Sequence, residues 1–458
     1  MIAPTSCQIY ALAYLWGLLC FSRFGSLRGS ERIVSIIQEV HAREILDSRG
    51  LPTVEVDITL SGGVVARASV PSGKSTGSRE AFELRDGESS RFGGAGVQHA
   101  VHHVTDIIAP EIMGIDPSDQ QAFDERLIEL DGTDNKQKLG ANAILGCSIA
   151  VARAVAKAQK VSLVEHLAML YGQGSMQFPV PMMNVINGGK HADSGISTQE
   201  FMIVPHGASD ISTAIRMGSE TYQALGRLLK AQGYRISVGD EGGFAPQLPS
   251  TMDALQILVK AIEDAGYRPG ADIAIALDFA ANDFWHDGRY RFEGQEWSSS
   301  DMADYCIKIA GEFPVVSVED PLAEDDWSGW VDLTNKTNSV SLQTIGDDIF
   351  VTNVNIFSKG IKQGVANGIL IKPNQIGTVS ETLAAIRMAE KAHYRTVMSH
   401  RSGETDDSFI SDLAVATHVG QMKSGAPARG ERVAKYNQLM RLQEFMPQVR
   451  MPKGLYHI

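Results

Sequence analysis

Five residues of chemically versatile type each close an apolar run: Asp278 in IAIALD, Glu319 in PVVSVED, Asp347 in SLQTIGDD, Lys372 in GILIK and His400 in YRTVMSH. Their separations are 41, 28, 25 and 28 residues, each close to one strand plus one helix. Strands of a parallel βα barrel all end at one mouth, where such enzymes carry their chemistry. Any one of these residues alone reads as a helix N-cap or a turn former. Five in register should converge on a single place. Three clustered carboxylates repel and raise one another's pKa unless a cation sits among them. With no thiol or imidazole companion they form a hard oxygen donor set that suits Mg²⁺, held at an open site where it serves as a Lewis acid. Lys372, closing an apolar run beside a metal, is expected to have a lowered pKa and to act as a base. Taken singly, such a lysine also reads as the partner of a neighbouring acid.

Loops supply further polar groups. VGDEGGFAP (238–246) exposes Asp240 and Glu241, and STQEF (197–201) offers Gln199 and Glu200. SHRSGET (399–405) sets Arg401 and Ser402 beside His400, a charged fork and a hydroxyl able to hold a phosphate, and KSGAPAR (423–429) adds Lys423. Each could also be an ordinary solvated loop. SGKSTG (72–77) imitates part of a phosphate-binding P-loop, but Ala68 stands where that motif needs glycine, and the segment follows a hairpin rather than a βαβ strand. A Gly/Ser loop that closes over a site is the better reading.

The elements that must position these groups fall into two blocks. Residues 36–70 alternate as strands, with TVEVDITL and VVARASV joined by a Ser-Gly-Gly turn at 61–63, and 95–170 read as helices. This is an α+β domain over 34–170. YGQGSMQFPVP marks a boundary, and 171–458 alternates short apolar runs with amphipathic stretches, as in a barrel of eight βα units.

The chain has 458 residues, 43% of them hydrophobic and 21% charged, which excludes a largely disordered or polytopic membrane protein. The net charge of −13 argues against a general nucleic-acid or membrane-surface binder. Four cysteines, at 7, 20, 147 and 306, have no metal-type spacing, and a reducing, cytoplasmic location fits them best. Residues 1–33 differ from the rest. Their run QIYALAYLWGLLCF is short for a membrane span, and its arginines follow rather than precede it, unlike a secretory signal. A short anchor, an atypical signal and an over-extended gene start beginning in truth at Val34 are the alternatives. The last is the expectation, a non-native or disordered leader, with no stable membrane insertion.

From about residue 35 to 448 the chain resembles the enolase family, through AREILDSRG, PSGKSTG, NGGKHAD, QEF, GDEGGFAP, LDFAA, VSVEDPLAEDDW, GDDIFVTN, KPNQIGT, SHRSGET and AKYNQL, in family order. The resemblance implies an N-terminal α+β domain, a variant (βα)8 barrel whose first strands depart from strict βα order, and reversible dehydration of 2-phosphoglycerate to phosphoenolpyruvate with two Mg²⁺ ions. It implies that Asp278, Glu319 and Asp347 hold the first ion and Ser75 helps hold the second. Lys372 would remove the C2 proton, and Glu241, with Glu200 beside it raising its pKa, would protonate the departing hydroxyl. Arg401 and Ser402 would hold the phosphate, Lys423 the substrate carboxylate, and Gln199, His191 and His400 would line or support the site. A homodimer or homo-octamer is implied. Lys74, Leu51 and Asn282 stand where the family usually has alanine, asparagine and serine. An acid-sugar dehydratase of the same superfamily, or a non-catalytic surface or assembly protein, are the alternatives. The Arg401–Ser402 pair and the GDEGGFAP loop argue against the first, and the intact acid–base set against the second.

Overall fold

The computed structural model describes residues 35–456, apart from 75, 173, 174 and 193. The leader and Ser75 therefore lie outside the described residues. Strands β1 (Ile37–Leu46), β2 (Pro52–Leu60) and β3 (Val64–Ser69) form an antiparallel sheet, with the expected hairpin between β2 and β3. Helix α1 (Ala141–Gln159) packs on β2 and β3. It is the one described helix long and apolar enough to cross a membrane, and it is buried instead. Gly146 permits the close approach, since a Cβ there would meet Val56 Cγ2 at 2.6 Å. Val54, Val56 and Ile58 are fully buried on the sheet, each such side chain contributing about 1.5–3 kcal/mol.

Eight strands close the barrel in chain order: β4 (Val180–Asn187), β5 (Glu200–Val204), β6 (Ala274–Asp278), β7 (Val315–Glu319), β8 (Gln343–Gly346), β9 (Gly368–Ile371), β10 (Arg395–Ser399) and β11 (Gln421–Lys423). Only β5 runs antiparallel to its neighbours. Among the described residues only a 3-10 turn (Gly189–His191) separates β4 from β5, and two helices, α2 (Ile211–Ala231) and α3 (Thr251–Asp264), then precede β6. The departure from strict βα order is thus confined to the first strands. Side-chain caps start the outer helices: Asp210 accepts from the Thr213 N–H at 2.9 Å, and Ser250 from the Asp253 N–H at 3.2 Å. A final helix, α4 (Gly430–Phe445), sends Arg432 and Lys435, both fully buried, behind the loop that follows β10.

His166, in the helix Leu163–Tyr171, is buried with neither ring nitrogen bonded, and burial pushes its pKa down to about 4. The unfolded chain protonates this ring near pH 6.5 and the folded chain resists until about 4. The unfolded state therefore binds the extra proton between those values, and stability falls as pH drops through that window. His166→Leu is expected to add up to about 3 kcal/mol at pH 4 and much less at pH 8, read from denaturant melts at the two pH values.

Candidate active site

The strand ends place the sequence-predicted residues together. Glu319 and Asp278 are register partners across β7 and β6, and Asp347 lies just beyond β8, which is hydrogen-bonded to β7. Lys372 follows β9, His400 follows β10 and Lys423 closes β11. β5 brings Glu200 to the same mouth by its first residue, because it is antiparallel and pairs Glu200 with Asp278. Gln199 precedes it, and its amide lies 3.3 Å from Asp278 Oδ2. Glu241, His191, Arg401 and Ser402 join them, with Asp320 and Asp348, around a cavity of about 30 Å³ that Glu319 does not itself line. All of these side chains are buried.

The cations are threaded among the acids. Lys423 Nζ lies 2.8 Å from both Glu319 oxygens and 3.4 Å from Asp278 Oδ2 and the Glu200 oxygens. Burial opposes its charge, but Glu200, Glu319 and Asp278 outweigh burial and hold it well above the usual lysine range. Lys372 Nζ bonds Asp347 Oδ2, and Gln375 donates to Asp347 Oδ1 at 2.8 Å. Burial favours the neutral amine of Lys372, yet Asp347 prevails and its pKa is raised. Asp347, the carboxylate expected to face a metal, thus opposes in this pairing the lowering that a neighbouring cation would bring.

The acid pair also differs from expectation. Burial, then the charge of Glu241, pushes Glu200 well above the usual carboxylate range. Glu241 is equally buried, but His400, His191 and Arg432 outweigh burial and hold it well below. Asn184 donates to Glu241 Oε2 at 3.1 Å, and His400 Nε2 lies 3.3 Å from the same oxygen. Their surroundings thus shift the two carboxyls in opposite directions. His191 Nδ1 is 3.6 Å from an oxygen of each.

A divalent cation fits this donor set. Burial and neighbouring carboxylates push Glu319 and Asp320 well above the usual range and Asp348 up to about 8, as crowded buried acids do. Asp320, Asp347 and Asp348 also offer three oxygens within 4.8 Å of one another. However, Asp320 already accepts from the N–H groups of Asp347 (2.9 Å) and Asp348 (2.8 Å), and Asp348 accepts from Asn282 at 2.8 Å. Those two acids brace the strand ends beside Asp278, Glu319 and Asp347, the set that the resemblance implies as ligands.

The N-terminal domain closes the side of the mouth that carries Arg401. The Arg401 fork meets Glu80 at 2.8 and 3.1 Å and Asn374 Oδ1 at 3.0 Å. Ser72 bridges to Gly403, and Gly73 packs so closely that a Cβ would sit 2.0 Å from Arg401 Nη2. The next residue, Lys74, reaches across the mouth to Asp240 Oδ2 at 2.7 Å. No helix follows this segment directly, which removes the P-loop reading. Leu51 is half-buried and its backbone N–H and carbonyl close the turn onto Asp47.

Several functional positions had escaped the sequence. Asn184 is a polar residue inside the buried strand PMMNVIN, a signal that could have flagged it. Asp320 and Asp348 were visible only as the second acid of ED and DD. Arg432 sits in GERVAKY, which reads as a solvated helix start, and gave no sign of its burial.

Known proteins match the chain in both domains. The family description "Enolase, N-terminal domain" matches residues 37–167, and "Enolase, C-terminal TIM barrel domain" matches 175–455. The enolase of Acidothermus cellulolyticus (strain ATCC 43068 / DSM 8971 / 11B) is 55% identical over 411 residues, which span 90% of this chain and 95% of that protein. Matched in both domains and along nearly the whole relative, the chain belongs to the enolase family and carries that family's lyase activity, phosphopyruvate hydratase.

Proposed function

We propose that the site dehydrates 2-phosphoglycerate reversibly to phosphoenolpyruvate with Mg²⁺, through the residues gathered at the barrel mouth. The observation that carries the reading is the placement of Lys372 and the Glu200–Glu241 pair in one cavity with Asp278 and Asp347, Glu319 being the register partner of Asp278. Asp278, Glu319 and Asp347 would hold the first Mg²⁺, and Ser75 would help hold the second. When bound, the cations take up the carboxylate charge that now engages Lys372 and Lys423, and stabilise negative charge developing on the substrate carboxylate. Lys372 removes the C2 proton. Glu241, with Glu200 beside it, protonates the departing C3 hydroxyl, which is a poor leaving group as hydroxide. Arg401 and Ser402 bind the phosphate, Lys423 the substrate carboxylate, and Gln199 and His191 line the pocket.

Base and acid act on different bonds, so their loss is separable. Glu241→Gln is expected to keep exchange of the C2 hydrogen with solvent deuterium while phosphoenolpyruvate formation falls by about 10²–10⁴-fold. Loss of exchange together with dehydration in that variant would reject the assignment of Glu241 to the second step. Residues 34–170 and 171–458 are proposed as the two domains. A cytoplasmic homo-oligomer, dimer or octamer, is proposed for the assembled enzyme. The buried free thiols Cys147 and Cys306 and the family relationship support it. Light scattering on purified protein measures the assembly.

A further inference from the structure

Arg432 is fully buried in the first turn of α4, and its guanidinium is spent on the loop after β10. Nη1 lies 2.6 Å from His400 Nδ1 and 2.6 Å from the Arg401 carbonyl oxygen. Nη2 reaches the carbonyl oxygens of Ser402 at 2.5 Å and Asp240 at 3.1 Å, and Ser48 Oγ at 3.3 Å. One side chain thus ties the phosphate-side residues 401–402 to the residue preceding Glu241. The nearest acid is Glu431, 3.3 Å from Nε.

A guanidinium donates and never accepts, so the lone pair of His400 Nδ1 must face it. A neutral imidazole then has its one proton on Nε2, the nitrogen 3.3 Å from Glu241 Oε2. We infer that Arg432 is a positioning residue: it locks His400 as the Nε2–H tautomer, so that the ring presents a donor to Glu241 and orients that carboxyl. Burial pushes His400 down to about 4, which keeps the ring neutral near pH 7. Asn184 donates to the same oxygen from the other side, leaving Oε1 of Glu241 to face His191. With the opposite tautomer, a lone pair on Nε2 would face the carboxylate and a proton on Nδ1 would face the guanidinium. Both contacts would be repulsive. The inference rests on the reading of Glu241 as the acid.

The test has two arms, both on the full chain. First, ¹⁵N-histidine spectra of the wild type, with His400 assigned by its loss in His400→Gln, should show an acceptor Nδ1 and a protonated Nε2. Second, Arg432→Met should lower kcat for 2-phosphoglycerate by about 10–100-fold with KM within about 3-fold, the size of effect seen when a partner that orients an imidazole is removed. Arg432→Lys, which keeps one donor, should recover part of that loss. In a His400→Gln background Arg432→Met should change kcat by no more than about 2-fold, because Arg432 acts through the ring. A wild-type ring protonated on Nδ1 overturns the inference, as does an equal loss in both backgrounds. If Arg432→Met does not fold, the wild-type spectrum decides by itself. A folded wild type without turnover would instead reject the reading of the reaction, and the tautomer would still be read.

Discussion

Lys372→Ala is expected to lower kcat for 2-phosphoglycerate by about 10²–10⁴-fold and to abolish C2 hydrogen exchange. The loss of exchange is what separates it from Glu241→Gln. The amine closes β9 and is held against Asp347, on the metal side of the cavity, whereas Glu241 lies among Asn184, His400 and His191. The substrate would sit between the two groups. Removing the amine also leaves Asp347 without its cationic partner, so the variant's fold must be checked by its melting transition. A folded Lys372→Ala protein that still exchanged the C2 hydrogen at the wild-type rate would remove Lys372 from the base role.

The second large effect concerns stability. Lys423 compensates Glu319, Asp278 and Glu200 at once, all of them buried. Breaking a buried pair by deleting one partner leaves uncompensated charge and costs about 3–5 kcal/mol. Lys423→Ala is therefore expected to unfold at lower denaturant without metal. Mg²⁺ should restore more stability to the variant than it adds to the wild type, because the ion then supplies the missing positive charge. Urea melts with Mg²⁺ and with chelator measure both. A variant as stable as wild type in chelator would show that the acid cluster is discharged by its own protons and does not need the lysine.

The barrel mouth was legible because its logic is local. An apolar run of four or five residues ending in Asp, Glu, Lys or His can be read one strand at a time, and parallel pairing brings the ends together. The rule finds Asp278, Glu319, Asp347, Lys372 and His400. It misses Glu200 because β5 is antiparallel and presents its first residue at the mouth, not its last. Glu241 belongs to no strand, and its position depends on loop contacts such as the Ala426 N–H bond to its carbonyl oxygen. Both entered the sequence reading only as polar residues of loops, and their roles came through the resemblance to a family. Charge states were less legible still. At Lys372 and Glu241 the influences that oppose burial come from neighbours distant in sequence, Asp347 for one and His400 with His191 for the other. Arg432 shows the general difficulty: on a surface helix an arginine is solvated by default, and only the packing of α4 behind the β10 loop turns it into a buried clamp.

The central claim is that these residues form a Mg²⁺-dependent hydro-lyase site. The most direct measurement is the formation of phosphoenolpyruvate from 2-phosphoglycerate by the full chain, followed by its ultraviolet absorbance, with Mg²⁺ and then with excess chelator. The account predicts turnover with Mg²⁺, its loss on chelation and its return when Mg²⁺ is restored. A folded protein that forms no product with Mg²⁺, or turns over equally well in chelator, would contradict it.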